Sequence, residues 1–380
     1  MEKKYQKVLE KVSFITTIFN EERSITGFLK SLLEQNFIPE EIIIVDGGSS
    51  DNTIACVINF FSEKSDNRFL KAGNNKQYNA SVHVKNEEVI EDFSLTLKDP
   101  AGFGEEAGTG GKTKVRIRLF SSPGSNISEG RNIAISHASN EIICGSDGGC
   151  SLDKNWSFEI TRYYFDDKNQ FSAAGGFSHP VALTFLEKLL EMCIMPGKKE
   201  IDSKKFMPSS RNISFLKSAW RAVGGYPRYL DYGEDMKFNF NLVQKGFKIA
   251  YNPDAVVYWR MRESLVMVFK QFFRYAKGDA IGKMYTHRHL IRFLSLVVFI
   301  ALIVASIFAS PWLLVLFAPL ILFYIYKPLL RVNDTWSHIR NPFKRVCLKM
   351  LSIVLAPFML LFIDTAKALG YVYGKTRKNA

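Results

Sequence analysis

The chain has 380 residues, a hydrophobic fraction of 47% and a formal net charge of +13, enough for one large or two modest soluble domains plus membrane segments. Its basic residues flank long apolar runs instead of forming one polybasic stripe, which excludes nucleic acid as the expected partner and points to a lipid margin. Five scattered cysteines (Cys56, Cys144, Cys150, Cys193, Cys347) lack disulfide or zinc-ligand spacing, which excludes a disulfide framework and a structural metal.

Residues 1–11 are polar and charged, and residues 12–19 are too short and too strand-like for a secretory segment. The polar part of the chain is therefore expected to stay on the side of the membrane where it is made. Residues 12–19 are rich in β-branched and aromatic side chains, as a buried strand is. Asn20 is a candidate cap for a following helix, along which Ile25, Phe28, Leu29, Leu32 and Leu33 repeat at helical spacing. Ile42–Val45 read as a second buried strand that ends at Asp46. Ser50 or Asp51 can cap a second helix with Ile54, Val57, Ile58 and Phe61 on its apolar face. Strands alternating with helices in this way predict an α/β fold with a parallel, doubly wound sheet, whose ligands sit beyond the carboxyl ends of the strands.

Residues 62–113 break this rhythm and read as an inserted flap or hairpin, with weak alternation near 80–84 and 93–97 and a Gly-rich stretch at 108–111. The core pattern resumes with a strand at 115–120, a helix near 128–138 and a strand at 141–146 that delivers Asp147 to a carboxyl end. Gly175-Gly176 and Gly224-Gly225 read as tight turns. A further helix is predicted from Glu234 to Lys245, closed by Gly246.

Residues 291–309 and 311–330 are each about twenty residues long and apolar, enough to cross a hydrocarbon core. Lys327, Arg331, Arg340, Lys344 and Arg345 follow, so this stretch is expected on the cytosolic side. A third apolar run, 346–363, reads equally well as a crossing or as a re-entrant or interfacial helix. The expected organisation is a cytosolic domain over 1–285 and a membrane domain over 286–380.

Several side chains carry candidate chemistry. Asp46, ahead of Gly47-Gly48, can bind ribose hydroxyls or a base edge, although the same residues suit a plain strand-to-helix turn capped by Asp51. Asp147, ahead of Gly148-Gly149, can neutralise a diphosphate through a hard divalent cation, or again make an Asp-Gly turn. Arg131, after a Pro-Gly-Ser loop, suits phosphate or a uracil-like edge, although a lone arginine is more often simply solvated. Glu234 and Asp235 open a helix, where the helix dipole alone favours acids; Asp235 can equally act as a general base. Gln271 and Arg274 share one helix face, next to Phe269, Phe272, Phe273 and Tyr275, either for a departing diphosphate or on a lipid-lying amphipathic helix. His137 and His179 lack ligand-like spacing and are read as structural.

Taken in order, residues 16–22, 45–53, Gly130-Arg131-Asn132 leading to Asp147, Glu234-Asp235 and 271–275 resemble the family 2 glycosyltransferases over roughly residues 12–280. The resemblance implies a GT-A fold, a cytosolic nucleotide-sugar site and inversion at the anomeric carbon. It also implies that Phe19, Glu21 and Asp46 bind the nucleoside with Arg131 nearby, that Asp147 holds Mg²⁺ or Mn²⁺ on the diphosphate, and that Asp235, beside Glu234, is the base. Gln271 and Arg274 match the family's glutamine–arginine motif. Gly149 stands where the family's second metal acid would be, with Asp153 as a candidate replacement. Tyr275 stands in place of tryptophan, and few spans follow, which favours transfer of a single sugar. The expected partners are a nucleotide-diphosphate sugar and a lipid-linked or saccharide acceptor, handled by a multi-pass protein of the cell's inner membrane in envelope or exopolysaccharide synthesis. A polyprenyl-phosphate sugar synthase and a non-catalytic nucleotide-sugar-binding scaffold are the competing readings.

Overall fold

Alternating burial explains the near-continuous apolar strands. In β1 (Lys7–Ile18), Phe14 faces one core and Ile15 the other. In β2 (Phe37–Asp46), Ile42 and Ile44 face the first core, whereas Ile43 and Val45 face the second. Such strands need helices on both sides of the sheet. The structure, a computed structural model, describes residues 7–64, 88–98, 112–166, 168 and 170–377.

The first core is closed by α1 (Ile25–Leu33), α2 (Thr53–Lys64) and α4 (Trp156–Thr161). Its centre is Phe14, whose ring lies 6.1 Å from that of Phe28 and 5.9 Å, edge-on, from that of Trp156. The second core lies under α3 (Ile127–His137), α6 (Lys217–Ala222) and α7 (Glu234–Gln244). There Phe238 stacks on Tyr226 at 4.4 Å and meets Phe215 edge-on at 5.2 Å.

The remaining strands are β3 (Glu88–Lys98), β4 (Lys112–Ser121), β5 (Ile142–Gly145), β6 (Cys150–Leu152), β7 (Ala173–Val181), β8 (Ile213–Leu216) and β9 (Ile249–Arg260). They complete a nine-stranded sheet of order β3-β4-β2-β1-β5-β8-β7-β9-β6. The parallel expectation holds over β4-β2-β1-β5. Outside that block β3 pairs antiparallel with β4, β8 with both β5 and β7, and β6 with β9, so the sheet is mixed. Within the expected insertion, the segment near 93–97 is strand β3; those near 80–84 and 108–111 lie outside the described residues.

Two local expectations are corrected. Gly175 and Gly176 are not a turn but lie inside β7, because a Cβ on Gly176 would sit 1.9 Å from the Ala255 carbonyl oxygen; the glycine permits a close backbone approach. Asn20 does not cap α1, whose cap position is Ser24; its side chain instead accepts from the Ser50 amide at 2.8 Å.

The chain divides into two compact units, one formed by Met1–His179 with Asp202–Trp259 and the other by Pro180–Ile201 with Arg260–Ala380. The second contains α5 (Phe185–Ile194), α8 (Leu265–Ile281), α9 (Thr286–Phe308), α10 (Phe317–Tyr324), α11 (Tyr326–Thr335) and α12 (Pro342–Thr376). Both α9 and α12 are long and apolar enough to cross a membrane. The 311–330 run is not one helix: the chain bends by 54° between Tyr324 and Tyr326. On α8, Phe269 packs against Phe362 of α12 at 5.7 Å and Phe273 against Tyr373 at 5.6 Å, whereas Tyr275 is exposed.

Candidate active site

Three loops converge beyond the carboxyl ends of β1, β2 and β4. β1 and β2 end side by side, with Ile18 opposite Asp46, which is itself opposite Ser121 of β4. The first two loops are then zipped together. The Asn20 amide donates to Ser49 Oγ at 2.9 Å, the Glu21 amide to Thr53 Oγ1 at 2.7 Å, and Glu22 accepts from Asn52 Nδ2 at 2.9 Å. The third joins where the Gly124 amide donates to the Gly47 carbonyl at 3.1 Å. Gly48, at a φ of +96°, brings its Cα against Pro123; an added Cβ would lie 3.0 Å from Pro123 Cα.

Asp46 is fully buried and holds this turn. Its Oδ2 accepts from the Gly48 and Ser49 amides at 2.8 and 2.9 Å, and its Oδ1 from Ser49 Oγ at 2.5 Å. Phe19, by contrast, is 60% exposed, and its ring edge lies along Gly47. The Glu21 carboxylate accepts from Ser24 Oγ and lies against Gly149.

Arg131 draws the other candidates together. An Asn126–Glu129 capping box starts α3, and a Cβ on Gly130 would come within 2.9 Å of Thr17 Cγ2, so the glycine lets the helix pack tightly on β1. That places the buried Arg131 guanidinium between two acids: Nη1 donates to Glu234 Oε1 at 2.6 Å and Nη2 to Asp147 Oδ1 at 2.9 Å. The ring of Tyr226 lies 5.4 Å beneath the same cation. Glu234 and Asp147 keep Arg131 fully charged despite its burial. Burial also pushes the Glu234 carboxyl up, to about 7, with Arg131 offsetting part of the rise and neighbouring Asp235 adding to it. Asp235, half-buried, follows at the start of α7, whose entry is set by Gly233 in the left-handed region. The adjoining Asn132 fixes the approach to α7: it accepts from Trp220 Nε1 at 3.0 Å and the Tyr226 amide at 2.8 Å, and donates to the Tyr226 carbonyl at 2.8 Å.

One site residue escaped the sequence reading. Arg211 Nε lies 3.9 Å from Asp147 Oδ2, and its guanidinium is stacked 4.3 Å over Trp259. A lone arginine ahead of a four-residue strand gives no spacing signal. Asp153, the candidate replacement acid, instead caps its own turn by accepting from the Asn155 amide at 3.1 Å. His137 stacks on Phe120 at 4.4 Å, and His179 lies 5.4 Å from the ring of Tyr258. A concavity of about 340 Å³ opens beside Asn132, Trp220 and Arg228, and its lining contains neither Asp147 nor Glu234. Gln271 and Arg274 lie on α8 of the second unit, where Gln271 accepts from Arg262 Nε at 3.0 Å and donates to Tyr275 Oη at 3.1 Å.

Comparison with known proteins supplies the identity. The family models for Glycosyl transferase family 2 and for Glycosyl transferase family group 2 match residues 13–84 and 199–363. Both models describe glycosyltransferases, and the chain is a glycosyltransferase. No curated protein matches it by sequence. The fold of this glycosyltransferase is shared with the mannosyltransferase PcManGT from Pyrobaculum calidifontis, solved with GDP-Man and Mn²⁺. The two are 12% identical with a TM-score of 0.50, and the match covers 97% of this chain and 88% of that one. TarS 1-349 from S. aureus, solved with UDP-GlcNAc, aligns over 96% of this chain and 90% of its own at 15% identity and a TM-score of 0.46.

Proposed function

We propose that this glycosyltransferase is an inverting enzyme that moves one sugar from a nucleotide-diphosphate sugar to a lipid-linked or saccharide acceptor at the membrane, in cell-envelope or exopolysaccharide synthesis. In this reading residues 1–285 form a cytosolic GT-A domain and residues 286–380 a membrane domain of the inner membrane. The observation that supports it is the double ion pair of Arg131, which ties Asp147 to the first turn of the helix that carries Asp235. A diphosphate held near Asp147 then lies close to a base that can reach an acceptor hydroxyl.

Asp235 takes the proton of the acceptor hydroxyl, whose oxygen attacks the anomeric carbon from the face opposite the diphosphate. The bond from that carbon to the diphosphate oxygen breaks, and the nucleoside diphosphate leaves with the electron pair. Arg131 holds Asp147 and Glu234 in register throughout. Phe19 and the Asp46 loop receive the nucleoside. The role of Gln271 and Arg274 toward the departing diphosphate rests on the family resemblance alone.

The residues present fit a divalent cation such as Mg²⁺ or Mn²⁺. Asp147 is a hard oxygen ligand whose side chain is 35% exposed, and such ions are commonly bound by one or two carboxylates with substrate phosphates completing the shell. When bound, the ion would neutralise charge on the leaving diphosphate. The mannosyltransferase of like fold was solved with Mn²⁺ and GDP-Man.

The test is release of nucleoside diphosphate by detergent-purified protein from a panel of UDP- and GDP-sugars, with membrane lipid extract and with or without Mg²⁺ or Mn²⁺. Cation-stimulated release, abolished by Asp147→Ala and lowered about 10²–10⁴-fold by Asp235→Asn, is expected. Full activity in Asp235→Asn would favour a polyprenyl-phosphate acceptor, which is already an anion. Donor binding without any release would favour the scaffold.

A further inference from the structure

We infer that Glu21 supplies the second carboxylate of the cation-and-diphosphate site, from the loop between β1 and α1, in place of the acid missing at Gly149. The inference rests on Asp147 being the acid on the diphosphate side.

The observation is where the Glu21 side chain lies. A Cβ built on Gly149 would stand 3.5 Å from Glu21 Oε2 and 3.7 Å from Oε1, whereas one built on Gly148 would meet the Glu21 Cγ at 3.8 Å. The stem of Glu21 therefore crosses residue 148, and its carboxylate occupies the space beside residue 149. Gly149 is outside the left-handed region, so its backbone would accept an acid; the charge has come from another element.

Glu21 is also held in place. Its amide donates to Thr53 Oγ1 at 2.7 Å, its carbonyl accepts from the Ser24 and Ile25 amides at 2.9 Å each, and its carboxylate accepts from Ser24 Oγ. Across the same turn, Asp147 is already shared with Arg131 and approached by Arg211, which dilutes its charge toward a cation. A second carboxylate restores the balance. Among the described residues no three His, Cys, Asp or Glu side chains converge, so a cation here relies on diphosphate oxygens to complete its shell. Mn²⁺ affinity should accordingly be low alone and rise when a nucleoside diphosphate is present.

The experiment titrates Mn²⁺ into the full-length protein in detergent, with UDP or GDP, and follows loss of the free-ion electron paramagnetic resonance signal. Glu21→Gln is expected to weaken nucleotide-dependent Mn²⁺ binding at least about tenfold, as loss of a ligand should cost no less than loss of its supporting shell. Adding Gly149→Asp to Glu21→Gln should recover most of that loss. Gly149→Lys, which leaves Glu21 intact but sets a cation against it, should weaken binding as well, and it serves if Glu21→Gln does not fold. Wild-type Mn²⁺ binding in folded Glu21→Gln or Gly149→Lys, with binding lost in Asp147→Asn, would overturn the inference and leave the Asp147 site standing. If the wild-type protein binds no nucleoside diphosphate with or without Mn²⁺, the site itself is misread and the inference fails with it.

Discussion

Two buried glutamates show how the same side chain is pushed in opposite directions. Glu41, on the same strand as Asp46, accepts from Ser13 Oγ at 2.6 Å and from the Ser139 amide and hydroxyl at 2.8 and 3.0 Å, and pairs with Arg118. Burial alone would raise its pKa, but these partners together hold the carboxyl below its ordinary range. Glu234 has Arg131 but also Asp235 beside it, and burial wins, carrying it to about 7. The consequences for stability have opposite signs. The contribution of Glu41 is present above the unfolded carboxylate value and is lost as pH falls through the depressed folded value. That of Glu234 is present in full below the unfolded value and is lost as pH rises through about 7. Thermal unfolding followed by tryptophan fluorescence from pH 2 to pH 8 should therefore show one loss of stability as pH falls below the unfolded carboxylate value and another as pH rises from that value to about 7. Glu41→Gln should remove part of the acid-side decline and Glu234→Gln part of the decline on approaching pH 7; unchanged profiles in both variants would contradict these assignments. Glu41→Ala, which leaves the half-buried Arg118 with the His137 carbonyl but no carboxylate, should cost about 1–3 kcal/mol.

At the scale of elements, the position of the proposed base depends on packing well behind it. Phe238, one turn on from Asp235, is fully buried between Tyr226 and Phe215. Phe238→Ala should cost about 3–5 kcal/mol in denaturant unfolding, and Phe238→Leu less. Because α7 then sits loosely, Phe238→Leu should lower kcat more than it raises KM for the donor. An unchanged kcat would separate this packing from the chemistry. The pairing of α8 with α12 offers a sharper case. A Cβ on Gly370 would lie 2.1 Å from the Phe273 carbonyl oxygen, so Gly370→Ala must push the helices apart, and it should reduce the yield of monodisperse protein in detergent. Much of this architecture was legible beforehand. The apolar runs of β1, β2 and β4 and the helical spacing of α1, α3 and α7 each carry their own signal, because both sheet faces are covered. The antiparallel half was not. β6 and β8 are short, and β7 contains glycines that locally read as a turn and become strand only because Ala255 approaches. The candidate site was legible as a set of residues but not as contacts. Nothing in the spacing of Arg131, Asp147 and Glu234 announces that one guanidinium joins two acids, and the engagement of Asp46 with its own turn is visible only in three dimensions.

For the whole molecule, the question is how often the chain crosses the bilayer. Helix α9, apolar and 23 residues in length, is about 35 Å long and sufficient for one crossing. Glu200 precedes α9, and among the described residues before α9 no helix is comparably long and apolar. Arg331, beyond the bent α10–α11 pair, forms a two-pronged ion pair with Glu200, Nε to Oε1 and Nη2 to Oε2 at 2.8 Å each, and the buried Trp336 stacks on Phe185 at 5.7 Å. If α9 crosses, the bent pair must therefore bring the chain back. Helix α12 is apolar enough to cross in its first half, yet Phe362, Gly370 and Gly374 lie against Phe269, Phe273 and Lys277 of α8. That contact ties its carboxyl-terminal half to a helix that precedes α9; in the proposed topology Lys375 and Arg377 then lie on the cytosolic side, as the positive-inside rule expects. Cys347, exposed in the first turns of α12, reports on this directly. Cys144, Cys150 and Cys193 are buried, and burial pushes the Cys150 and Cys193 thiols up to about 12, so they are poor competitors for a maleimide. In a Cys56→Ser background, a membrane-impermeant maleimide should label Cys347 in inverted vesicles, where the cytosolic face is outward, and not in right-side-out cells. Cys347→Ser should abolish the signal. Labelling only from outside the cell would mean that the bent pair does not return, and the ion pair of Arg331 with Glu200 could not then form in the bilayer.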